Sequence, residues 1–344
     1  MTQRDSRQRR IRARRSWLRS IAAALVLTAT LSGCSMLNGS TDQSDGSGNS
    51  QVEKSAVTIG ILQTPDDAPV ELSQIDGFFA SVGLKPTIKF FKQGPDMYPA
   101  LANGSLDFAL TNYVSFFQAA AKKTLSAKVV ADAYAATPNA LVVLVGPNSP
   151  IKTVADLQGQ KIATQAPGNI NELLVRDLLQ TNHLNPSSPT YLPVHFPDMA
   201  AALADGSVSA ITELEPYITE AERQDHDAEP QSFHLITGAT NDMPLSGYIA
   251  ASSFIAKNPR TVAAFQKAMA KANAAITKPG EAAKVLPEVT KVEPSLVPML
   301  IPNLGTYPTS LDPKRLQRVV TLMQNYGGFT QSLNVQSLIV PLAS

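Results

Sequence analysis

The residue types in this chain that can do chemistry stand in short polar clusters, each following an apolar run. They are Gln63-Thr64, Thr111-Asn112-Tyr113, Thr137 with Asn139, Pro167-Gly168-Asn169, and Glu213 with Glu215. Amides, hydroxyls and backbone N–H groups in such places donate to an anion or a carbonyl, and carboxylates accept from an amine. Pro167-Gly168-Asn169 precedes a helical pattern, whose N-terminus offers free N–H groups and the positive end of the helix dipole. The same residues read equally well as a plain turn with Asn169 as N-cap. Of Glu213 and Glu215, one is expected to face a cleft. Glu215-Pro216 also suits the start of a helix over 217–222, where acids are favoured.

Bond-making chemistry finds no carriers. The only Cys is Cys34, and no Ser-His-Asp set, glycine-rich phosphate loop or metal cluster stands out. Asp225-His226-Asp227-Ala228-Glu229 with His234 fits no zinc spacing and reads as a solvated loop. His183 and His195 are isolated. No catalytic residue, metal or cofactor is expected. Tyr113, Phe116, Phe117 and Tyr134 suit either a pocket floor or the core.

These clusters must be held by the elements before them. Pro95–Leu110 (P-D-M-Y-P-A-L-A-N-G-S-L-D-F-A-L) returns 102 residues later as Pro197–Thr212 (P-D-M-A-A-A-L-A-D-G-S-V-S-A-I-T). Eight of thirteen aligned positions are identical, so one half-motif is used twice. Each copy reads as a short helix opened by Pro, closed by Gly104 or Gly206, and followed by a strand. Strands are predicted at 57–62, 87–91, 106–110, 128–133, 139–145, 161–164, 190–194, 208–212 and 248–252. One helix is predicted from Val70 to Val82, and others over 114–122 and 170–179. Such alternation implies parallel sheet with crossover helices in two α/β lobes. Helices opened by Pro259 and Pro313 are expected to pack back on the first lobe.

The ends of the chain carry other information. The first 33 residues hold eight Arg and one Asp, leaving 21 basic and 27 acidic residues beyond them. A mildly acidic body argues against nucleic acid as partner. The apolar run Ile21–Leu31 is short for a bilayer span and ends in Leu31-Ser32-Gly33-Cys34, which is similar to a bacterial lipobox. Residues 1–34 are therefore expected to be a lipoprotein signal peptide, with Cys34 lipidated and carrying palmitate or similar chains. Arg14-Arg15 leaves twin-arginine and general export both open. Residues 35–54, rich in Ser, Gly, Asp and Asn, read as a flexible linker.

The body resembles the solute-binding proteins of nitrate/sulfonate/taurine-type ABC importers, a family that includes thiamine-pyrimidine precursor binders. The resemblance lies in Ala100-Leu101…Gly104…Asp107, Asp156-Leu157-Gln158-Gly159-Gln160-Lys161-Ile162-Ala163, Gly168-Asn169, Ala202-Leu203…Gly206, Glu215-Pro216-Tyr217 and Asn258-Pro259…Val262…Phe265. It departs at Ser209, where Asp is usual, and at Asn169, where Ser or Thr is common. The resemblance implies an α/β, type II periplasmic-binding-protein fold, with two lobes joined by crossover strands. Lobe 1 is expected over 55–138 plus 247–344, and lobe 2 with the passage strand over 139–246. It further implies a monomeric receptor, not an enzyme. Such a receptor is anchored on the extracytoplasmic face of the cell membrane and delivers a small polar organic solute to an ABC permease. A solute-sensing lipoprotein is the second reading, and an enzyme on the same fold the third.

In open α/β sheets ligands bind beyond the carboxyl ends of strands, which selects Gln63, Thr64, Thr111, Asn112, Tyr113, Asn139, Gly168, Asn169, Glu213 and Glu215. No Lys or Arg occupies those turns, so a bare inorganic anion lacks a counter-charge there. The expected solute is zwitterionic or aminopyrimidine-like, in preference to nitrate or a simple alkanesulfonate.

Overall fold

A computed structural model of the protein describes residues 52–224 and 231–342. The expected leader, Cys34 and most of the linker lie outside the described residues, as do Asp225–Glu229. The linker's last residues are not loose. Glu53 pairs with Arg260 at 2.9 Å, and Lys54 Nζ reaches both carboxylate oxygens of the buried Asp107 at 2.7 Å. Burying Asp107 without a cation would be costly, which fixes this end of the chain.

The first sheet grows from β1 (Ala56–Ile61), whose apolar run is buried on both faces. Parallel to it lie β2 (Lys85–Phe90) and β3 (Phe108–Asn112). Between them run α1 (Ala68–Ile75), α2 (Phe78–Ser81) and α3 (Tyr98–Ala102). The single helix predicted from Val70 to Val82 is in fact two. Gly77 takes a left-handed φ of 71°, which breaks the ladder after α1 and redirects the chain. Next come α4 (Tyr113–Ala121) and β4 (Ala127–Ala135).

The chain then crosses into a second sheet. It contains β5 (Val142–Val145), β6 (Lys161–Thr164), α5 (Ile170–Thr181), β7 (Thr190–Pro193), α6 (Phe196–Ala204), β8 (Ala210–Glu213), α7 (Tyr217–Gln224) and β9 (Gln231–His234). The chain returns through β10 (Pro244–Ala251), four residues earlier than its predicted start, and all eight of its residues are buried. The sheet orders are β2-β1-β3-β10-β4 and β7-β6-β8-β5-β9. Each has three parallel strands followed by an antiparallel one: β10 in the first sheet, which comes after the whole second sheet in sequence, and β5 in the second. The two P-D-M copies precede β3 and β8, which hold the same place in the two sheets. Gly104 and Gly206 end both copies at matching φ of 78° and 77°.

Five α-helices complete the described part: α8 (Ser252–Lys257), α9 (Pro259–Ile276), α10 (Glu281–Thr290), α11 (Val297–Leu300) and α12 (Pro313–Tyr326). Phe265 of α9 stacks on Phe108 of β3 with ring centroids 3.9 Å apart, sealing the first core. By contrast, α12 rests on both α4 and α5, so it spans the helical layers of both sheets instead of the first alone. Its Leu316, Val319, Val320 and Met323 are all buried.

Candidate functional site

The carboxyl ends of β1, β3, β6 and β8 converge on one cavity of about 620 Å³, its open mouth included. The turn after β1 contributes Thr64, Pro65 and Asp66, and the end of β3 contributes Thr111 and Asn112. From the second sheet come Gln165 after β6, Ile170 and Asn171 at the start of α5, Phe196 of α6, and Glu215 after β8. Tyr134 at the end of β4 and Ser246 in β10 complete the polar and aromatic lining.

Local sequence accounts for much of this placement. Asn112 caps α4, its Oδ1 accepting from the Val114 N–H at 2.9 Å. Thr111 exchanges a hydrogen bond with the Tyr98 hydroxyl at 2.8 Å. Asn169 caps α5 by accepting from the Glu172 N–H at 3.1 Å, and the Glu172 carboxylate accepts from the Gly168 N–H at 2.7 Å. The Gly168 N–H and the Asn169 Oδ1 are thus taken up within the turn, the buried Asn169 Nδ2 has no partner among the described residues, and neither residue lines the cavity. The next residues do. Asn171 is almost wholly buried, and its Nδ2 has no partner within the protein.

Two positions apart on a continuing strand, the paired glutamates would share one face; they part because β8 ends at Glu213 and Glu215 stands in the turn before α7. Glu215 lines the cavity; Glu213 is buried away from it, one of its oxygens unpartnered. Glu215 also caps α7. Its Oε2 accepts from the Thr219 N–H at 3.2 Å, and its Oε1 from the Thr219 hydroxyl at 3.0 Å and from Asn303 Nδ2 at 2.6 Å. Burial pushes its pKa up to about 7 against these three bonds. Cap and cavity wall, offered as alternatives by the sequence, are one residue here.

Other expected site residues lie elsewhere. Gln63 is exposed and outside the lining. Tyr113 is fully buried and donates to Asp132 at 2.9 Å. Asn139 donates to the Pro302 carbonyl at 3.2 Å, while its neighbours Ala140 and Leu141 form the wall. Thr64, Thr111, Asn112 and Glu215 are the expected residues that do meet at the cavity.

Asp66, Gln165, Asn171, Phe196 and Ser246 line it without having been singled out, as does Tyr134, which sequence left between pocket and core. Asp66 accepts from the Ser246 hydroxyl across 180 positions of sequence. Burial raises its pKa, with Ser246 and Thr64 favouring the charged form. The strand-end rule that selected Gln63-Thr64 reaches Asp66 two residues on. Nothing local marks Ser246 or Asn303, which come from distant strands and loops. Gln118 Nε2 also donates to the Gly168 carbonyl at 3.3 Å, so α4 and the α5 turn bridge the two sheets at this end.

With this geometry in place, likeness to other proteins becomes informative. A family model described as NMT1/THI5 like matches residues 64–282. An aliphatic sulfonates-binding protein of Escherichia coli (strain K12) is 39% identical over 134 residues, which are 38% of this chain and 40% of that protein. The match thus spans about two fifths of the relative's length. Among solved structures, the periplasmic aliphatic sulphonate binding protein SsuA from Escherichia coli covers 84% of this chain and 93% of its own. It is 21% identical, with a TM-score of 0.68. The periplasmic nitrate-binding protein NrtA from Synechocystis PCC 6803 covers 83% and 85%, at 16% identity and a TM-score of 0.66. The two-sheet α/β fold described above is the periplasmic-binding-protein fold that these structures share.

Proposed function

This chain belongs to the NMT1/THI5-like family, and on that premise we propose that it is the substrate-binding lipoprotein of an ABC importer. It captures a small polar organic solute, of the sulfonate, taurine or aminopyrimidine class, between its two sheets. The observation that carries this reading is the cavity at the carboxyl ends of β1, β3, β6 and β8, lined by side chains from both sheets. Donors and acceptors meet there around aromatic walls, an arrangement suited to holding a solute. The names of the relatives point the same way, as does the absence of any Cys in the mature body for covalent chemistry.

Residues 55–138 with 247–344 act as one lobe and 139–246 as the other, hinging where the chain crosses before β5 and at the start of β10. Binding selects the closed arrangement, which is then presented to a permease. Cys34 holds the receptor on the extracytoplasmic face through its acyl chains, each buried CH₂ contributing about 0.8 kcal/mol.

Titration calorimetry with a panel of small sulfonates and amines tests the reading. Saturable one-to-one binding is expected, with a smaller radius of gyration by X-ray scattering. A panel without a binder, together with solute uptake unchanged when the gene is deleted, would remove it. Anchoring is tested separately: Cys34→Ser should move nearly all of the protein from washed membranes to the soluble fraction. A variant that stays on the membrane would overturn the lipid anchor.

A further inference from the structure

We infer that the cavity is built for the cationic nitrogen end of an organic solute, an amidinium or ammonium, and that Asp66 supplies its counter-charge. This rests on the solute-receptor reading above and deepens it. The lining contains two carboxylates, Asp66 and Glu215, and no Lys, Arg or His. An anion placed alone among these groups would meet like charge in a site shielded from water, which is expensive.

The two carboxylates are not equivalent. Glu215 is 1% exposed, and its oxygens are taken up by Thr219 and Asn303. It is committed to the α7 cap and to the loop that carries Asn303. Asp66 is only partly buried and belongs to the cavity lining, where Ser246 is its hydrogen-bonded side-chain donor. It is the carboxylate left with room to meet a ligand.

No Lys, Arg or His among the described residues lines the cavity around Asp66. Asp67, beside it on the same turn, is fully buried and accepts from the Leu62 N–H at 2.8 Å and the Tyr248 hydroxyl at 3.1 Å. Tyr134, Tyr248 and Tyr307 face the same region from β4, β10 and the loop before α12, and each feels the charge of Asp66. Tyr134 lines the cavity together with both carboxylates. A charge in such a place gains most from a cation brought by the ligand. The aromatic residues Tyr134 and Phe196 line the same space, a setting that suits a flat cation. The unpartnered Asn171 Nδ2 leaves a donor for an acceptor elsewhere on the same solute.

Three probes of one shape separate the charge from the ring: benzamidine, benzamide and benzenesulfonate. By calorimetry on the full chain, benzamidine should bind about 10- to 100-fold more tightly than benzamide, as a charged hydrogen bond does, with benzenesulfonate weakest. Asp66→Asn should bring benzamidine and benzamide to within about twofold of each other. A second arm uses the parent protein alone, should that variant fail to fold. As the pH is lowered from about 8, benzamidine keeps its charge while the cavity carboxylates take up protons, Glu215 with its pKa at about 7 and Asp66 with its pKa raised by burial, so benzamidine affinity falls while benzamide affinity stays level. Tightest binding of benzenesulfonate would overturn the charge assignment and leave the receptor reading standing. So would equal losses for benzamidine and benzamide in Asp66→Asn, or a level pH profile. No binding of any probe at about 10 mM also overturns the assignment, and the receptor reading falls with it only if the sulfonate and amine panel is blank too.

Discussion

Arg315→Met is expected to lower stability at neutral pH by about 3–5 kcal/mol, the usual consequence of leaving one half of a buried ion pair alone. Arg315 of α12 donates from Nη1 to Asp132 Oδ2 at 2.6 Å and from Nε to Asp242 at 3.0 Å. Asp132, in β4, is 3% exposed and also accepts from Tyr113 and from the Ala133 N–H. Burial already outweighs the cation, holding the Asp132 pKa up to about 6 with Arg315 in place. A carboxyl whose pKa is raised on folding contributes stability below its unfolded value and loses it as pH rises through the folded one. Removing Arg315 raises that pKa further, so the loss should be largest above about pH 6 and shrink toward about pH 5, where Asp132 is protonated in either protein. Urea unfolding at both pH values is the measurement. A loss that is independent of pH would mean that α12 is held by its apolar face alone.

Gly305→Ala is expected to cost about 3 kcal/mol or more, at the upper end for overpacking, because one of its neighbours is backbone and cannot turn away. A methyl there would collide with the Ala135 carbonyl oxygen and come within 2.8 Å of the Tyr134 ring. The close approach has a purpose. Gly305 donates its N–H to the Tyr134 hydroxyl, and Thr306 exchanges backbone hydrogen bonds with Ala135 at 2.8 and 2.9 Å. The tail thereby clamps the end of β4 and sets the aromatic wall of the cavity. The variant should melt lower, and solute binding should weaken at temperatures where it remains folded. A variant with parental melting and binding would show that the tail shifts without cost and does not position Tyr134.

How far each feature was legible depends on the range of the interaction that creates it. The strands around Val57–Leu62 and Val208–Thr212, and the Pro-to-Gly brackets of the two P-D-M copies, were readable because apolar periodicity and left-handed glycines act over a few residues. The cap at Asn169 was readable for the same reason, since an N-cap reaches only two or three residues ahead, whereas Asn112, which caps α4 by the same rule, was read only as a ligand group. The missed break at Gly77 was local too, but a glycine inside a helical pattern weighs little against the apolar stripe running across it.

The cavity obeys a different logic. That β3 and β4 are separated by β10, a strand more than a hundred residues later, is a matter of sheet order, and no short window encodes it. Ser246 meets Asp66, Asn303 meets Glu215, and Gly305 meets Tyr134 only because that order brings them together. Glu213 and Glu215 would share one face of a continuing strand, and they part only because β8 ends at Glu213 and the chain turns there, which leaves Glu215 at the cavity. By itself the sequence determined the elements, their Pro and Gly boundaries and the kinds of polar group at the strand ends. The tertiary structure alone decided which of those groups face one another, because that choice rests on contacts between residues that only the packing of two sheets brings within reach.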